Sequence, residues 1–532
     1  MTEKKRFIVK KEYLVILAAT FFFALCAHGF AMFQKLSVLD DPVYLFDVGA
    51  TYTSGRWMLY LLYRLTRFAG YSAYSLPLFN SLVSFFLLAV VSCVLCELFG
   101  IKRTWVLIAV SGILTVSPAV TGLMAYPYTM PYYFFGLLLC VFGAALSAAK
   151  KTWPCLIGGI VLICCGIGIY QSYLPFAMGV LLIYGMLQLA DGELSGAKGI
   201  LREAVRLILI AAAALVLYLL VNKAVLSLMN AQMSDYRSLD SFGRTDIGGY
   251  LARLADAYKQ FFLADAGASY QMYPMRTAWL FFLTVPVVIA AGVRIAKRLA
   301  VRVKADAVFF LVFLLLSPLL FHFIFVITGK EEVHSLMVHS HVLWFFMAAA
   351  FLERWSGNEA HTAADAGAES VPLHGRLPLY TAFTVLTLAL CLGLTRYANV
   401  CYQAAHYAQS EAVQYLNRLA LKIEQLPGYT DGTEIAFIGE YEKTAETLPS
   451  YEAFQAIVTF PWPRDAEELL NQYTWKLMMD QWCGFLPHAA DPSPFADLPQ
   501  VQAMPCYPAD GSIVEIDGTV VVKFADSAAS GD

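Results

Sequence analysis

The stretch Ser37–Trp57 reads SVLDDPVYLFDVGATYTSGRW and carries Asp40, Asp41 and Asp47, then Arg56. It follows an apolar run from Tyr13 to Phe33. Carboxylates and a guanidinium at a lipid–water boundary suit transfer of a group from a lipid-borne phosphate. A carboxylate can take the proton of an acceptor hydroxyl. A guanidinium, especially one at a helix start, can neutralise a phosphate as it departs. Asp before Pro42 is also good turn chemistry, so the acid pair has a structural reading beside the chemical one. Two adjacent acids cannot point the same way from an extended turn. Asp41, stiffened by Pro42, is the first choice for the base, with Asp40 its neighbour and Asp47 in reserve.

The arginine needs an element to hold it. TYTSGRWMLYLLYRLTRF has helical periodicity, with Thr53 or Ser54 as expected N-cap. Trp57, Leu61 and Leu65 share one face; Arg56, Tyr60, Tyr63 and Arg67 share another. This is an amphipathic helix suited to the membrane interface. Arg64 and Arg67 can simply snorkel to lipid phosphates; Arg56, beside Gly55 at the helix start, is the expected phosphate contact.

Further along, the loop "TGKEEVHSLMVHSH" gathers Lys330, Glu331, Glu332, His334, His339 and His341. Carboxylates and imidazoles are metal ligands, but donor or acceptor contact and plain solvation both stand ahead of a metal, and no metal or cofactor is expected. Lys330 and His334 are the best placed for a phosphate; Glu331 and Glu332 for substrate. Tyr170 and Gln171 in "YQSYLP" sit at a helix end and suit sugar hydroxyls, although an aromatic belt explains Tyr170 equally well. The "YPYTMPYY" turn reads as belt or as the wall of a lipid groove. His28 is polar inside a span and a candidate by default.

The rest of the chain explains why these residues matter. Of its 532 residues 59% are hydrophobic and only 14% charged, against about 25% charged for a soluble protein. The chain is therefore a polytopic α-helical membrane protein. A window of about 19 residues gives spans at 13–33, 76–98, 105–123, 132–149, 155–172, 174–190, 207–228, 277–293, 306–327, 337–352 and 378–396. No cleavage site follows the first run, so no removable signal is expected. Most of the eleven cysteines lie in apolar runs and read as packing residues, Cys93-x-x-Cys96 included. Lys4, Lys5, Arg6, Lys10 and Lys11 begin a series of basic connections (Lys102 and Arg103; Lys150 and Lys151; Lys198, Arg202 and Arg206; Arg294 to Lys304) that all fall on one side. That side is the expected cytoplasm. Loops 34–75, 229–276 and 328–336, and everything after residue 396, then lie outside.

Residues 1–396 are thus read as the transmembrane domain and 397–532 as a small extracytoplasmic α/β domain. In the latter, "AAHYAQSEAVQYLNRLALKIEQL" and "RDAEELLNQYTWKLMMDQW" read as helices, "TEIAFIGEY" and "AFQAIVTF" as strands, and "SIVEIDGTVVVKF" as a hairpin turning on Asp517-Gly518. This domain is expected to cover the active site, bind acceptor or serve structure alone; Cys483 and Cys506 can pair if oxidised. "DIGGYLARLADAYKQFFLAD" reads as an interfacial helix. No internal repeat of the kind common in transporters is visible.

"LDD" after the first span, "GRW" some fifteen residues on, the aromatic external turn, "YQSYLPFAMGVLL", "ANVCYQAAHYAQSEAV" and the ending "MPCYPADGSIVEIDGTVVVKF" resemble the polytopic glucosyltransferases that modify bacterial O-antigen, the Gtr-type glucosyltransferase II family. The resemblance runs from about residue 10 to 525. It implies a GT-C type fold, a polyprenyl-phosphate-linked hexose donor, a cell-surface glycan acceptor on the outer face of the membrane, and an essential acid in the first outer loop. That acid maps onto Asp40 or Asp41, and the "GRW" arginine onto Arg56. The family often has arginine in its late outer loop, where this chain has KEEVHSLMVHSH. A transporter or flippase of lipid-linked sugars is the alternative. It would place charges inside spans, whereas these spans are nearly charge-free. Membrane lipid, donor and glycan are the expected partners; nucleic acid is not.

Overall fold

The computed structural model describes residues 10–45, 48–70, 74–234, 247–263, 277–328, 333–366, 377–442 and 458–526, without the side chains of 247 and 356–378. The chain divides into two compact units, one made of Met1–Phe33 with Phe46–Ala398, the other of Gln34–Leu45 with Asn399–Asp532.

The first unit is helical. In chain order it holds α1 (Lys11–Phe33), α2 (Trp57–Phe68), α3 (Pro77–Phe99), α4 (Thr104–Val116), α5 (Pro118–Leu123), α6 (Met130–Ala149) and α7 (Trp153–Ile169). Then come α8 (Leu174–Asp191), α9 (Ala197–Leu228), α10 (Ile247–Leu263), α11 (Ala278–Arg302), α12 (Lys304–Phe321), α13 (Ile324–Ile327), α14 (Leu343–Ala366) and the start of α15 (Leu377–Glu424). Among the described residues nine helices are long and apolar enough to cross a membrane; α7, with 17 residues, is a shorter apolar helix. The chain is a multi-pass membrane protein.

Several expected spans differ in detail. Segment 105–123 breaks at Ser117, because Pro118 opens α5 at a position that needs no N–H. The run 306–327 breaks after Phe321 into α12 and α13. Residues 335–342 form two short 3-10 turns before α14 begins at Leu343. The last span does not stop at residue 396. It runs on as one 48-residue helix to Glu424, since no proline or glycine interrupts the chain between Gly393 and Pro427.

Close packing between spans comes from small residues, as expected where burial from water supplies no drive. A β-carbon on Gly143 would meet the Gly159 carbonyl oxygen at 2.7 Å, and one on Gly166 the Gly136 carbonyl oxygen at 2.7 Å, so α6 and α7 touch backbone to backbone. Two polar contacts join neighbouring spans. His28 bonds the Thr115 carbonyl at 3.0 Å and stacks on Phe85; Ser92 and Ser111 bond at 2.9 Å.

The second unit is built on a four-stranded mixed sheet: β1 (Glu434–Ile438), β2 (His488–Ala489), β3 (Ile513–Ile516) and β4 (Thr519–Lys523), in the order β2-β1-β4-β3. Strand β1 runs parallel to β2 and β4, and β3 pairs antiparallel with β4. The hairpin turns on Asp517 and Gly518, both with positive φ, as a two-residue turn requires. Ala436, Ile438, Val501, Met504, Ile516 and Val521 form its core. The expected helix 464–482 is two pieces, Ala466–Leu470 capped by Asp465 and Trp475–Cys483. Most of the expected strand "AFQAIVTF" lies outside the described residues. Cys483 and Cys506 are free thiols; that of Cys483 faces the Val413 carbonyl.

Candidate active site

Residues 34–45 form a knot of tight turns. The Asp41 N–H bonds the Val38 carbonyl at 3.1 Å, and the Val43 and Tyr44 N–H groups both bond the Asp40 carbonyl, at 3.0 and 3.1 Å. Gln409 on α15 grips the segment at both ends of its amide, accepting from the Ser37 N–H at 2.8 Å and donating to the Lys35 carbonyl at 3.3 Å. Gln481 donates to the Pro42 carbonyl at 2.7 Å and Trp482 to the Ser37 hydroxyl at 3.1 Å.

This turn gives two neighbouring carboxylates different surroundings. Asp41 is fully buried and paired with Lys35, Nζ to Oδ2 at 2.5 Å. Burial pushes the Lys35 ammonium below its ordinary pKa, and the Asp41 charge opposes that shift. Asp40 is only half-buried and accepts a hydrogen bond from the Tyr473 hydroxyl. A carboxylate with no access and a fixed cation suits holding the loop; a half-exposed one can meet a substrate. Asp47 lies outside the described residues.

In the helical unit, a single 3-10 turn, Thr51–Ser54, leads into Gly55 and then α2. Thr53 and Ser54 do not cap α2. Their hydroxyls turn back to the Ala50 and Thr51 carbonyls, and Arg56 occupies the N-cap position. The cause is Gly55, whose φ of +77° ends the 3-10 turn at Ser54, two residues short of the helix that begins at Trp57. Gly55 also permits close approach. A β-carbon there would lie 2.6 Å from the Tyr218 hydroxyl and 2.7 Å from Gln171 Nε2. Gln171 donates to the Ser54 carbonyl at 2.7 Å, and Tyr218 to the Gly55 carbonyl at 3.1 Å. The Gln171 amide, expected to bind sugar, is thus engaged in pinning the turn that carries Arg56.

Arg56 itself donates to the Tyr133 hydroxyl at 3.1 Å, and its guanidinium carbon lies 5.5 Å from the centre of the Tyr170 ring. Tyr133 and Tyr170 stack at 4.9 Å. The aromatic turn and "YQSY" therefore form a seat for the guanidinium. The helix behind it sorts its faces differently from the simple periodic reading. Trp57, Leu59 and Tyr63 are buried, while Leu61, Leu65 and Phe68 form an exposed apolar edge. Trp57 is drawn in because Gly168 leaves room; a β-carbon there would meet the indole at 2.7 Å. Arg64 and Arg67 are exposed, and Arg67 donates to the Tyr63 hydroxyl at 3.3 Å.

Lys330, Glu331 and Glu332 lie outside the described residues. His334, His339 and His341 are buried. His341 Nδ1 lies 3.0 Å from His322 Nε2. His339 sits among Phe134, Tyr173 and Phe176, and neither of its ring nitrogens has a hydrogen-bond partner among the described residues. Sequence reasoning missed Lys35, Tyr133, Tyr218, His322 and Tyr473 as neighbours of these groups. Lys35 is six residues from Asp41 and was legible as an ion-pair partner; Tyr473 is 433 positions from Asp40, with no local signal.

Among solved structures, this chain is similar to the archaeal oligosaccharyltransferase AglB from Archaeoglobus fulgidus, solved with an inhibitory peptide and a dolichol-phosphate. The two share 10% sequence identity with a TM-score of 0.40, over 91% of this chain and 64% of that one, so this chain spans less than two thirds of that protein's length. No curated protein matches it. The family model described as Glucosyl transferase GtrII matches residues 29–346, which include the acid turn, the Arg56 turn and the histidine loop. With more than half of its length so matched, the chain belongs to the GtrII glucosyl transferase family.

Proposed function

We propose that this membrane glycosyltransferase, built on a GT-C type scaffold, moves a hexose from a polyprenyl-phosphate donor to a cell-surface glycan at the outer face of the membrane. Glucose is the sugar that family membership favours. The observation that carries the chemistry is the split environment of the acid pair: Asp41 is buried against Lys35, and Asp40 is half-exposed beside Tyr473.

In this reading Asp40, not Asp41, takes the proton of the acceptor hydroxyl as its oxygen attacks the anomeric carbon. The bond from that carbon to the phosphate oxygen breaks, and the polyprenyl phosphate leaves with the bonding pair. Arg56 meets the charge that develops on it; a guanidinium seated on aromatic rings is held ready and needs no reorganisation. Asp41 and Lys35 keep the turn in shape. His334 and the neighbouring Lys330, Glu331 and Glu332 complete the contacts to phosphate and sugar, and Asp47 and Tyr170 contact substrate. The basic connections support a cytoplasmic N-terminus and an external C-terminal unit.

The test is glycan composition. Surface polysaccharide from cells with the gene should carry a hexose substituent that cells without it lack, read by mass spectrometry and linkage analysis. Identical glycans from the two strains would contradict the proposal.

A further inference from the structure

A cavity of about 360 Å³ lies wholly within the C-terminal unit, at the lower end of the range for small-molecule sites. Its buried part is aromatic. Phe437 and Phe524 stack at 5.8 Å, and Trp475 meets Phe437 edge-on at 5.0 Å. Its outer part is polar, with Glu440, Asn471, Gln472, Tyr473 and Lys476. The Asn471 amide nitrogen donates to the Tyr441 carbonyl at 3.1 Å. Gln472 Oε1 is buried and has no hydrogen-bond partner among the described residues. A buried acceptor without a donor is disfavoured, so this oxygen points to a donor brought by a ligand. Lys476 lies over Phe437 and Trp475, 5.3 and 5.6 Å from the ring centres.

The lining defines the ligand's chemistry. One carboxylate and one ammonium leave the cavity without net charge, which disfavours a phosphate or a polyanion. Aromatic rings beside a ring of donors and acceptors fit a pyranose, which has an apolar face of C–H groups and a rim of hydroxyls that both donate and accept. Tyr473 joins the cavity to the chemistry. It lines the space, and its hydroxyl donates to Asp40. We propose that this cavity binds one sugar unit of the acceptor glycan and, through Tyr473, registers it against Asp40. The inference rests on the transfer reading above, which makes Asp40 the partner of the acceptor hydroxyl.

The probe is the unmodified acceptor, the oligosaccharide released by mild acid from the surface glycan of cells that lack the gene. It is titrated against the purified full chain in lipid nanodiscs, with binding read by saturation-transfer NMR. Gln472→Ala should weaken binding roughly tenfold, the scale of one neutral hydrogen bond. The acceptor KM should rise by a similar factor, with kcat little changed. Glu440→Gln, at an exposed position, should weaken binding as well. Arg56→Ala should leave this binding intact while depressing transfer. Equal binding by wild type and both cavity variants, or none by a wild-type protein that still transfers sugar, would overturn the proposal. Binding that both variants weaken, in a protein that transfers no sugar, would sustain the cavity and sink the transfer reading.

Discussion

Asp40 and Asp41 are neighbours in sequence and opposites in environment, and that difference can be measured. Asp40→Asn removes the proton acceptor and keeps the shape, so turnover should fall by roughly 10²–10⁴ with the fold intact. Asp41→Asn leaves the buried Lys35 ammonium without its counter-charge, so it should lower stability by about 1–3 kcal/mol. Adding Lys35→Met to Asp41→Asn should recover part of that loss, since the pair is coupled. Thermal unfolding and single-turnover transfer on the same preparations separate the two effects. Normal turnover in Asp40→Asn with loss in Asp41→Asn would restore Asp41 as the base. The charged turn after a span was legible in the sequence, because residue types and spacing alone mark it. The different surroundings of its two acids were not legible. They depend on Tyr473, 433 positions from Asp40, and on the hold that Gln409 of α15 has on the turn.

At the scale of elements, α2 was legible from its periodicity and its arginines. Its start was not, because Gly55 rather than a capping hydroxyl sets where the helix begins. The contacts that hold this start, Gln171 and Tyr218, come from distant parts of the chain. Gly55→Ala would force a side chain into positive φ and into both groups, costing about 1–3 kcal/mol. It should move Arg56 from its seat on Tyr133 and Tyr170 and raise the KM for the lipid-linked donor. Arg56→Ala should weaken donor use too, whereas Arg67→Ala at the exposed end of the helix should do little. Donor titrations of the three variants provide the check; equal effects of Arg56→Ala and Arg67→Ala would mean that the helix only anchors to lipid. The long α15 teaches the same lesson from the other side. The sequence separated a span from an amphipathic helix by hydropathy, yet nothing in it stops the helix before Pro427.

For the whole molecule, composition made the membrane class plain, since so few charges over so long a chain leave no other solution. The small sheet was partly visible, because the Asp517-Gly518 turn carries its own signal, whereas the parallel pairing of β1 with β4 has none. Residues 34–45 group with the C-terminal unit through contacts that no local pattern reveals. Orientation rests on Lys and Arg alone. In a cysteine-free background, an impermeant maleimide on intact cells should label a cysteine placed at position 530 and miss one at 360; the reverse would put the acid turn on the wrong side for a lipid-linked donor presented outside. The most direct measurement is transfer itself. Purified protein in vesicles is given radiolabelled glucosyl polyprenyl phosphate and glycan acceptor, and label in the glycan is counted. Wild type should glucosylate the acceptor and Asp40→Asn should not. If the labelled lipid instead crosses the bilayer with no label reaching the glycan, the protein is a flippase and the account fails.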